Sequence, residues 1–289
     1  MTTTASLPTP AHQLSAPTSS PNATANRDVN YQGLPIPRGP VTAPLSFYKA
    51  QKMAHRHTTT SSHSQVLEDL RGQEQKFSLD SNAFDTFQNI KSCLDRAGFE
   101  DDEAVSRVYY PEVEELLLKN VQGAQRVLLF DHTIRRPTGN RNAVQRVHID
   151  QTPFSAAERV KLHLPDEAEN LLQGRYRIIN VWRPLNGPVM GNSLAVADSQ
   201  MVRDGDLVPI EHRYPDRNGQ TAAVAYNPEQ KWYYWSGMTN EDRLLLKCFD
   251  SDENFGQWGR VPHTAFTDPR TPEGAVGRES IEVRALVFG

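Results

Sequence analysis

The chain has 289 residues and a formal charge of −4, since 35 acidic residues slightly outnumber 31 basic ones. This balance argues against a nucleic-acid-binding surface, which needs a basic footprint. No run approaches the roughly 20 apolar residues of a membrane span, and no secretory or mitochondrial leader follows Met1. Two cysteines, Cys93 and Cys248, fit a reducing compartment better than a disulfide framework. We therefore expect a cytoplasmic protein with no membrane or nucleic-acid partner.

The N-terminal segment differs in composition from the rest of the chain. Residues 1–44 contain eight of the twenty prolines, and Ser, Thr, Ala and Asn fill most of the remainder. Such a segment buries little apolar surface, so the composition predicts a disordered arm. We expect one domain over residues 45–289.

The first elements of this domain are predicted to be short strands and then a helix. Strand patterns occur within 45–80, where the polar stretch around His55 and His57 is typical of an exposed loop rather than a metal site. Residues 101–121 repeat apolar side chains at helical spacing. Pro111 is expected to kink this helix or divide it into two.

After Gly123 the pattern changes to many short strands separated by Gly, Pro and Asn. A helical insert over 155–173, broken at Pro165, interrupts them. The predicted strands are 126–134, 144–150, 176–182, 194–197, 222–226, 231–235, 244–249 and 280–288. This pattern predicts a mainly β fold with flanking helices (α+β), namely a double-stranded β-helix or jelly-roll barrel whose core covers about 125–289.

A histidine and a carboxylate two residues apart are the first candidate for chemistry. Residues i and i+2 of a strand face the same side, so His148 and Asp150 point together while Val147 and Ile149 pack on the other face. A late histidine, His263, is a candidate third ligand. Two imidazoles and one carboxylate form the facial triad of non-haem Fe(II) oxygenases. On spacing alone, these histidines could equally be ordinary hydrogen-bonded residues of the core or surface. His132 and His163 are the competing candidates for a metal ligand.

A second candidate opens the last predicted strand. Arg278 and Ser280 share a face and offer a guanidinium and a hydroxyl, which suit the distal carboxylate of a cosubstrate such as 2-oxoglutarate. Arg284 has the same parity and is the alternative anchor. A surface salt-bridge ladder of Arg278, Glu282 and Arg284 is the structural alternative. Trp182, with the residue after it, fits either a core position or the wall of a substrate pocket.

Several longer motifs resemble one known family. They are Phe130-Asp131-His132-Thr133-Ile134-Arg135-Arg136, Val147-His148-Ile149-Asp150-Gln151, Asn180-Val181-Trp182-Arg183-Pro184-Leu185, Gly187-Pro188-Val189, Leu194-Ala195-Val196-Ala197-Asp198, Phe249-Asp250-Ser251, Pro262-His263-Thr264-Ala265-Phe266-Thr267-Asp268-Pro269 and Arg278-Glu279-Ser280-Ile281-Glu282-Val283-Arg284. From about Leu45 to the C-terminus, the chain resembles the fungal AsaB-type hydroxylase/desaturase family. That family includes the gibberellin desaturase and is similar to the cephem methoxylase subunit group.

The resemblance implies a single oxygenase domain that uses Fe(II), 2-oxoglutarate and O2 to oxidise a C–H bond of a small molecule in fungal secondary metabolism. It implies that His148, Asp150 and His263 are the metal ligands. It implies a cosubstrate site at Arg278 or Arg284, with Ser280. It implies that Asn180, Trp182 and Arg183 are pocket residues. Hydroxylation, desaturation and ring formation share one iron site, so the motifs indicate a reaction class rather than a product. The alternatives are a non-catalytic jelly roll that binds a metal or metabolite, and an interaction protein whose aromatic residues are all core.

Overall fold

The computed structural model describes residues 33–49, 59–137, 139, 142–215, 218–255 and 259–289. The loop predicted around His55 and His57, and most of the predicted arm, lie outside these residues. None of the helices in the described part is long and apolar enough to cross a membrane.

The described residues form thirteen strands in two sheets. In chain order they are β1 (Val41–Lys49), β2 (Thr59–Asp69), β3 (Phe84–Phe87), β4 (Arg126–Arg135), β5 (His148–Ile149), β6 (Tyr176–Pro184), β7 (Ser193–Ala197), β8 (Leu207–Arg213), β9 (Asn218–Val224), β10 (Trp232–Tyr234), β11 (Arg243–Asp250), β12 (His263–Phe266) and β13 (Ser280–Phe288). One sheet has the order β1-β2-β10-β7-β12-β5-β9-β8 and the other β3-β11-β6-β13-β4. The predicted mainly β, jelly-roll class is confirmed.

The two sheets enclose a shared apolar core. Trp182 and Leu246 of the five-stranded sheet lie in one buried cluster with Val196 of the eight-stranded sheet. Strands β6 and β11 are buried along their whole length, because the core covers one face of their sheet and helices cover the other. Side chains on the inner face of β6 and β13 therefore point between the sheets.

The helical layer packs on the outer face of the five-stranded sheet. It consists of α2 (Asp102–Ala104), a π-helical turn (Val105–Tyr109) and α3 (Tyr110–Asn120). The helical segment is divided next to Pro111, as expected. A π-helical turn ends at Tyr109 and α3 begins at Tyr110, so Pro111 lies in the first turn of α3, where its missing N–H needs no partner.

The helical insert lies beside the eight-stranded sheet. It contains α4 (Pro153–His163) and α5 (Ala168–Leu171), and Pro165 falls in the break between them, as predicted. Thr152 and Ser155 form a reciprocal capping box that begins α4 immediately after the short strand β5. A short helix, α1 (Leu79–Asn82), precedes β3.

Two predicted boundaries move. Strand β1 begins at Val41, so the domain boundary predicted between residues 44 and 45 falls inside this strand. The side chains of Val41, Ala43, Leu45 and Phe47 all point inward, and the residues between them point outward. Pro44 is tolerated because β1 is an edge strand. The strand predicted over 144–150 shrinks to β5, since the chain bends at Asp150 to enter α4.

Candidate metal centre and flanking cavities

The two predicted histidines are direct neighbours across antiparallel strands. His263 of β12 is the register partner of His148 of β5, and their ring centroids are 4.4 Å apart. Asp150 follows β5 on the same face, while Val147 and Ile149 are buried on the other face, as parity predicted. One ligand atom from each of His148, Asp150 and His263 lies within 4.8 Å of the others.

Backbone carbonyls orient both imidazoles. The Nδ1 atom of His148 lies 2.7 Å from the carbonyl oxygen of Arg146, and Nδ1 of His263 lies 3.2 Å from that of Val261. A carbonyl oxygen only accepts, so each Nδ1 carries the proton and donates it. Each Nε2 is turned towards Asp150, at 3.3 Å from Oδ1 for His148 and 3.9 Å for His263, and is the ring atom left to bind a metal.

The charges of the three groups are set by burial and by each other. Burial and the neighbouring His148 lower the pKa of His263 to about 4. Burial alone would raise the pKa of Asp150, but Arg284 and the two imidazoles outweigh it and hold that pKa well below its usual range. Burial opposes charge on His148, yet the hydrogen bond that its imidazole donates to the Asp150 carboxylate raises its pKa. At neutral pH the centre thus offers a carboxylate and a neutral imidazole.

This donor set fits a divalent transition metal. Two imidazole nitrogens and one carboxylate oxygen lie close together, and hydrogen bonds to backbone carbonyls fix the ring orientations. Within the described residues, no other group of three such side chains has metal-binding spacing.

Arg284 lies next to the metal centre and is surrounded by carboxylates. Its guanidinium contacts Asp150 Oδ2 at 3.3 Å, Asp131 Oδ1 at 2.9 Å and Glu282 Oε1 at 2.7 Å. It also donates to the hydroxyl of Thr133 at 3.1 Å. Burial lowers the pKa of Arg284, but these carboxylates outweigh it and raise the pKa well above its ordinary value.

Arg278 has different surroundings. It is 7% exposed, donates to the carbonyl of Asn192 at 2.7 Å and lies over the ring of Trp182 at 5.2 Å. Burial and the nearby Arg135 lower its pKa to about 10. No carboxylate of the described residues is within ion-pairing distance of this guanidinium, and its favourable neighbours are the face of Trp182 and the more distant Glu282.

Arg278 lines a cavity of about 450 Å³, here called the arginine cavity, together with Arg135, Arg136, Asn142, Gln145 and Asn192. Ser280 is the register partner of Arg135 on β4. Gln145 lies three residues before His148, and Asn192 precedes β7, which pairs with the strand of His263. The cavity thus adjoins the strands of the metal centre and is rich in positive charge.

The three predicted pocket residues divide between two faces of β6. Asn180 points inward and donates from Nδ2 to Asp150 Oδ2 at 2.8 Å, and Trp182 lies in the core between the sheets. Arg183 points to the helical layer, with its guanidinium 4.9 Å from the ring of Phe99 and 5.2 Å from that of Tyr109. Its place in the pocket is therefore not supported, because odd and even residues of a strand face opposite sides.

A second cavity, the α4 cleft, opens directly at the metal centre. It measures about 320 Å³ and has Asp150 in its wall. The other walls are α4 and the β8–β9 hairpin, including Glu158, Leu162, His212, Tyr214, Gln220 and Thr221. Strand β8 was not predicted, so these hairpin residues were missed. The alternation of Val208 and Ile210 with Pro209 and Glu211 is the sequence signal that could have found the strand.

The competing histidines lie elsewhere. His132 contacts the hydroxyl of Tyr110 at 3.0 Å and Asp102 at 3.2 Å, at the helical layer. His163, at the end of α4, stacks on Phe130 with ring centroids 5.1 Å apart. Neither joins the metal centre.

Comparison with known proteins identifies the relatives of this chain. A family described as "Oxidoreductase/YMDC permease-like domain" matches residues 36–288. The hydroxylase/desaturase poxK of Penicillium oxalicum is 37% identical over 254 residues, covering 77% of this chain and 78% of that protein. The Fe(II)/2-oxoglutarate-dependent dioxygenase nvfI of Aspergillus novofumigatus is 33% identical over 235 residues, covering 78% of this chain and 84% of its own length.

A solved structure shows the same relationship. The iron and alpha-ketoglutarate-dependent endoperoxidase NvfI superposes with a TM-score of 0.74 and 27% identity, covering 87% of this chain and 97% of the other. The chain belongs to the hydroxylase/desaturase family of Fe(II)- and 2-oxoglutarate-dependent oxygenases.

Proposed function

We propose that this protein couples the decarboxylation of 2-oxoglutarate to the oxidation of a C–H bond of a small molecule, in the secondary metabolism of a fungus. The observation that carries the proposal is the cluster of His148, Asp150 and His263, with Asp150 in the wall of an open cleft and an arginine-rich cavity lined by residues near the same strands. When bound there, Fe(II) supplies the redox chemistry that links 2-oxoglutarate and O2 to substrate oxidation.

Arg278 is the residue we propose for the distal carboxylate of 2-oxoglutarate. It is buried, it has donors left over, and it shares the arginine cavity with Arg135, so a dianion there would relieve the repulsion between the two cations. Ser280, opposite Arg135 in register, adds a hydroxyl from the same face of β13. Arg284 is the poorer anchor, because three carboxylates surround it and would repel another.

The α4 cleft is the proposed site of the small-molecule substrate. Its volume is in the range of small-ligand pockets, and Asp150 in its wall places a ligand next to the metal centre. Leu162 and Tyr214 are half exposed and offer apolar contacts, while Gln220 and Thr221 offer hydrogen bonds. Glu158, Arg159 and Lys161 also line the cleft and add charged groups to its walls.

Two broader expectations accompany this function. We propose that residues 41–289, from the start of β1, act as one catalytic domain preceded by a proline-rich arm. We also propose that the protein works in the cytoplasm; support comes from its cysteines, since both Cys93 and Cys248 are free thiols.

Uncoupled turnover tests the function without knowledge of the substrate. Purified protein supplied with Fe(II), 2-oxoglutarate and O2 is expected to form succinate slowly, and omission of any one of the three should stop it. Succinate is measured by liquid chromatography and mass spectrometry. The matched control is the same protein with Zn(II), which binds the same ligands but has no redox chemistry. Equal succinate formation with Zn(II) and Fe(II) would contradict the proposal.

A further inference from the structure

The two oxygens of Asp150 have different surroundings. Oδ1 faces the two imidazoles, at 3.3 Å from His148 and 3.9 Å from His263. Oδ2 faces away from them and receives hydrogen bonds from Asn180 Nδ2 at 2.8 Å and Arg284 Nε at 3.3 Å. The carboxylate is therefore held in one rotational state, with a single oxygen directed to the metal centre.

The two donors to Oδ2 are themselves fixed by neighbouring strands. Asn180 of β6 and Arg284 of β13 are register partners, and both contact Glu282, from Asn180 at 3.1 Å and from Arg284 at 2.7 Å. On the other side, Arg284 is the register partner of Asp131 on β4 and binds its carboxylate at 2.9 Å. Three hydrogen-bonded strands thus hold the network, and its side chains are largely buried.

We propose that Asn180 and Arg284 are positioning residues that hold Asp150 so that only Oδ1 binds the metal, and that Arg284 does not contact the cosubstrate. This inference rests on the proposed iron site. Arg284 is suited to the role because its planar fork reaches three carboxylates at once, which a lysine ammonium cannot do with the same geometry. Asn180 is suited because its uncharged amide lies between the carboxylates of Asp150 and Glu282 and donates a hydrogen bond to each.

Two substitutions that conserve charge test the proposal, namely Arg284→Lys and Asn180→Ala. The probe is Co(II) alone, with its dissociation constant taken from a titration of its visible absorption bands. We expect both variants to bind Co(II) about 10- to 100-fold more weakly, which is typical for loss of an outer-shell contact. We also expect a changed band shape, because a released carboxylate can turn its second oxygen to the metal. At saturating Co(II), 2-oxoglutarate affinity should match that of the wild type.

The controls separate this proposal from the proposed function. Arg126→Lys changes an exposed arginine that pairs with Glu167, so it should leave Co(II) binding unchanged. Circular dichroism shows whether each variant is folded. If Arg284→Lys does not fold, Asn180→Ala provides the test. Unchanged Co(II) affinity and spectrum in the folded variants, or weaker 2-oxoglutarate binding with intact Co(II) binding, would overturn the positioning role alone. Failure of the wild type to bind Co(II) would overturn the iron site as well.

Discussion

The His263→Ala variant is expected to lose metal binding and succinate formation together. His263 supplies one of three protein ligands, its Nε2 lone pair is held in place by the hydrogen bond to Val261, and it is 3% exposed. Loss of an outer-shell partner typically costs about 10- to 100-fold in metal affinity, so loss of a ligand should cost at least about 100-fold. Equilibrium dialysis with Fe(II) under anaerobic conditions measures the affinity.

A second histidine provides the matched control for this variant. His132 lies at the helical layer, where it contacts Tyr110 and Asp102. His132→Ala should therefore bind Fe(II) and form succinate as the wild type does. If His263→Ala kept wild-type iron affinity, or if His132→Ala lost as much, the assignment of the metal centre would be wrong.

The Arg278→Gln variant is expected to raise the KM for 2-oxoglutarate with little change in Fe(II) affinity. A hydrogen bond to a charged group contributes roughly 1.5–3 kcal/mol, which corresponds to about a 10- to 150-fold change in KM. Glutamine keeps a polar side chain over Trp182 but removes the charge that we assign to cosubstrate binding. The uncoupled succinate assay at varied 2-oxoglutarate concentration measures the effect.

Two further arginine variants sharpen the interpretation. Arg126→Gln removes an exposed arginine and should leave the KM unchanged, which controls for net charge. Arg278→Lys should recover part of the affinity, because the charge returns without the planar fork. An unchanged KM in Arg278→Gln, combined with a raised KM in Arg284→Lys, would transfer the cosubstrate anchor to Arg284.

The pairing of His148 with Asp150 was predictable from strand parity alone. The same rule, applied to β6, separates Arg183 from Asn180 and Trp182, so the position of Arg183 on the outer face could also have been predicted. His263 is different, because its register against His148 joins distant parts of the chain. No local pattern determines such a pairing, and only the longer family motifs selected that histidine.

Other features depend on three-dimensional surroundings that a sequence does not display. Arg278 lies just before β13 and Arg284 lies within it at the same parity, yet one lies over Trp182 and the other among three carboxylates. Strand β8 escaped prediction because Pro209 interrupts its pattern, although proline is tolerated on the edge strand that β8 forms.

The most direct test of the iron and 2-oxoglutarate site is the visible absorption spectrum under anaerobic conditions. Folded protein with Fe(II) and 2-oxoglutarate is predicted to show a weak charge-transfer band, because the keto acid and the metal must be adjacent for it to form. The band should be absent without 2-oxoglutarate and absent in His148→Ala. No band in the folded wild type, or a band of equal strength in His148→Ala, would contradict the account.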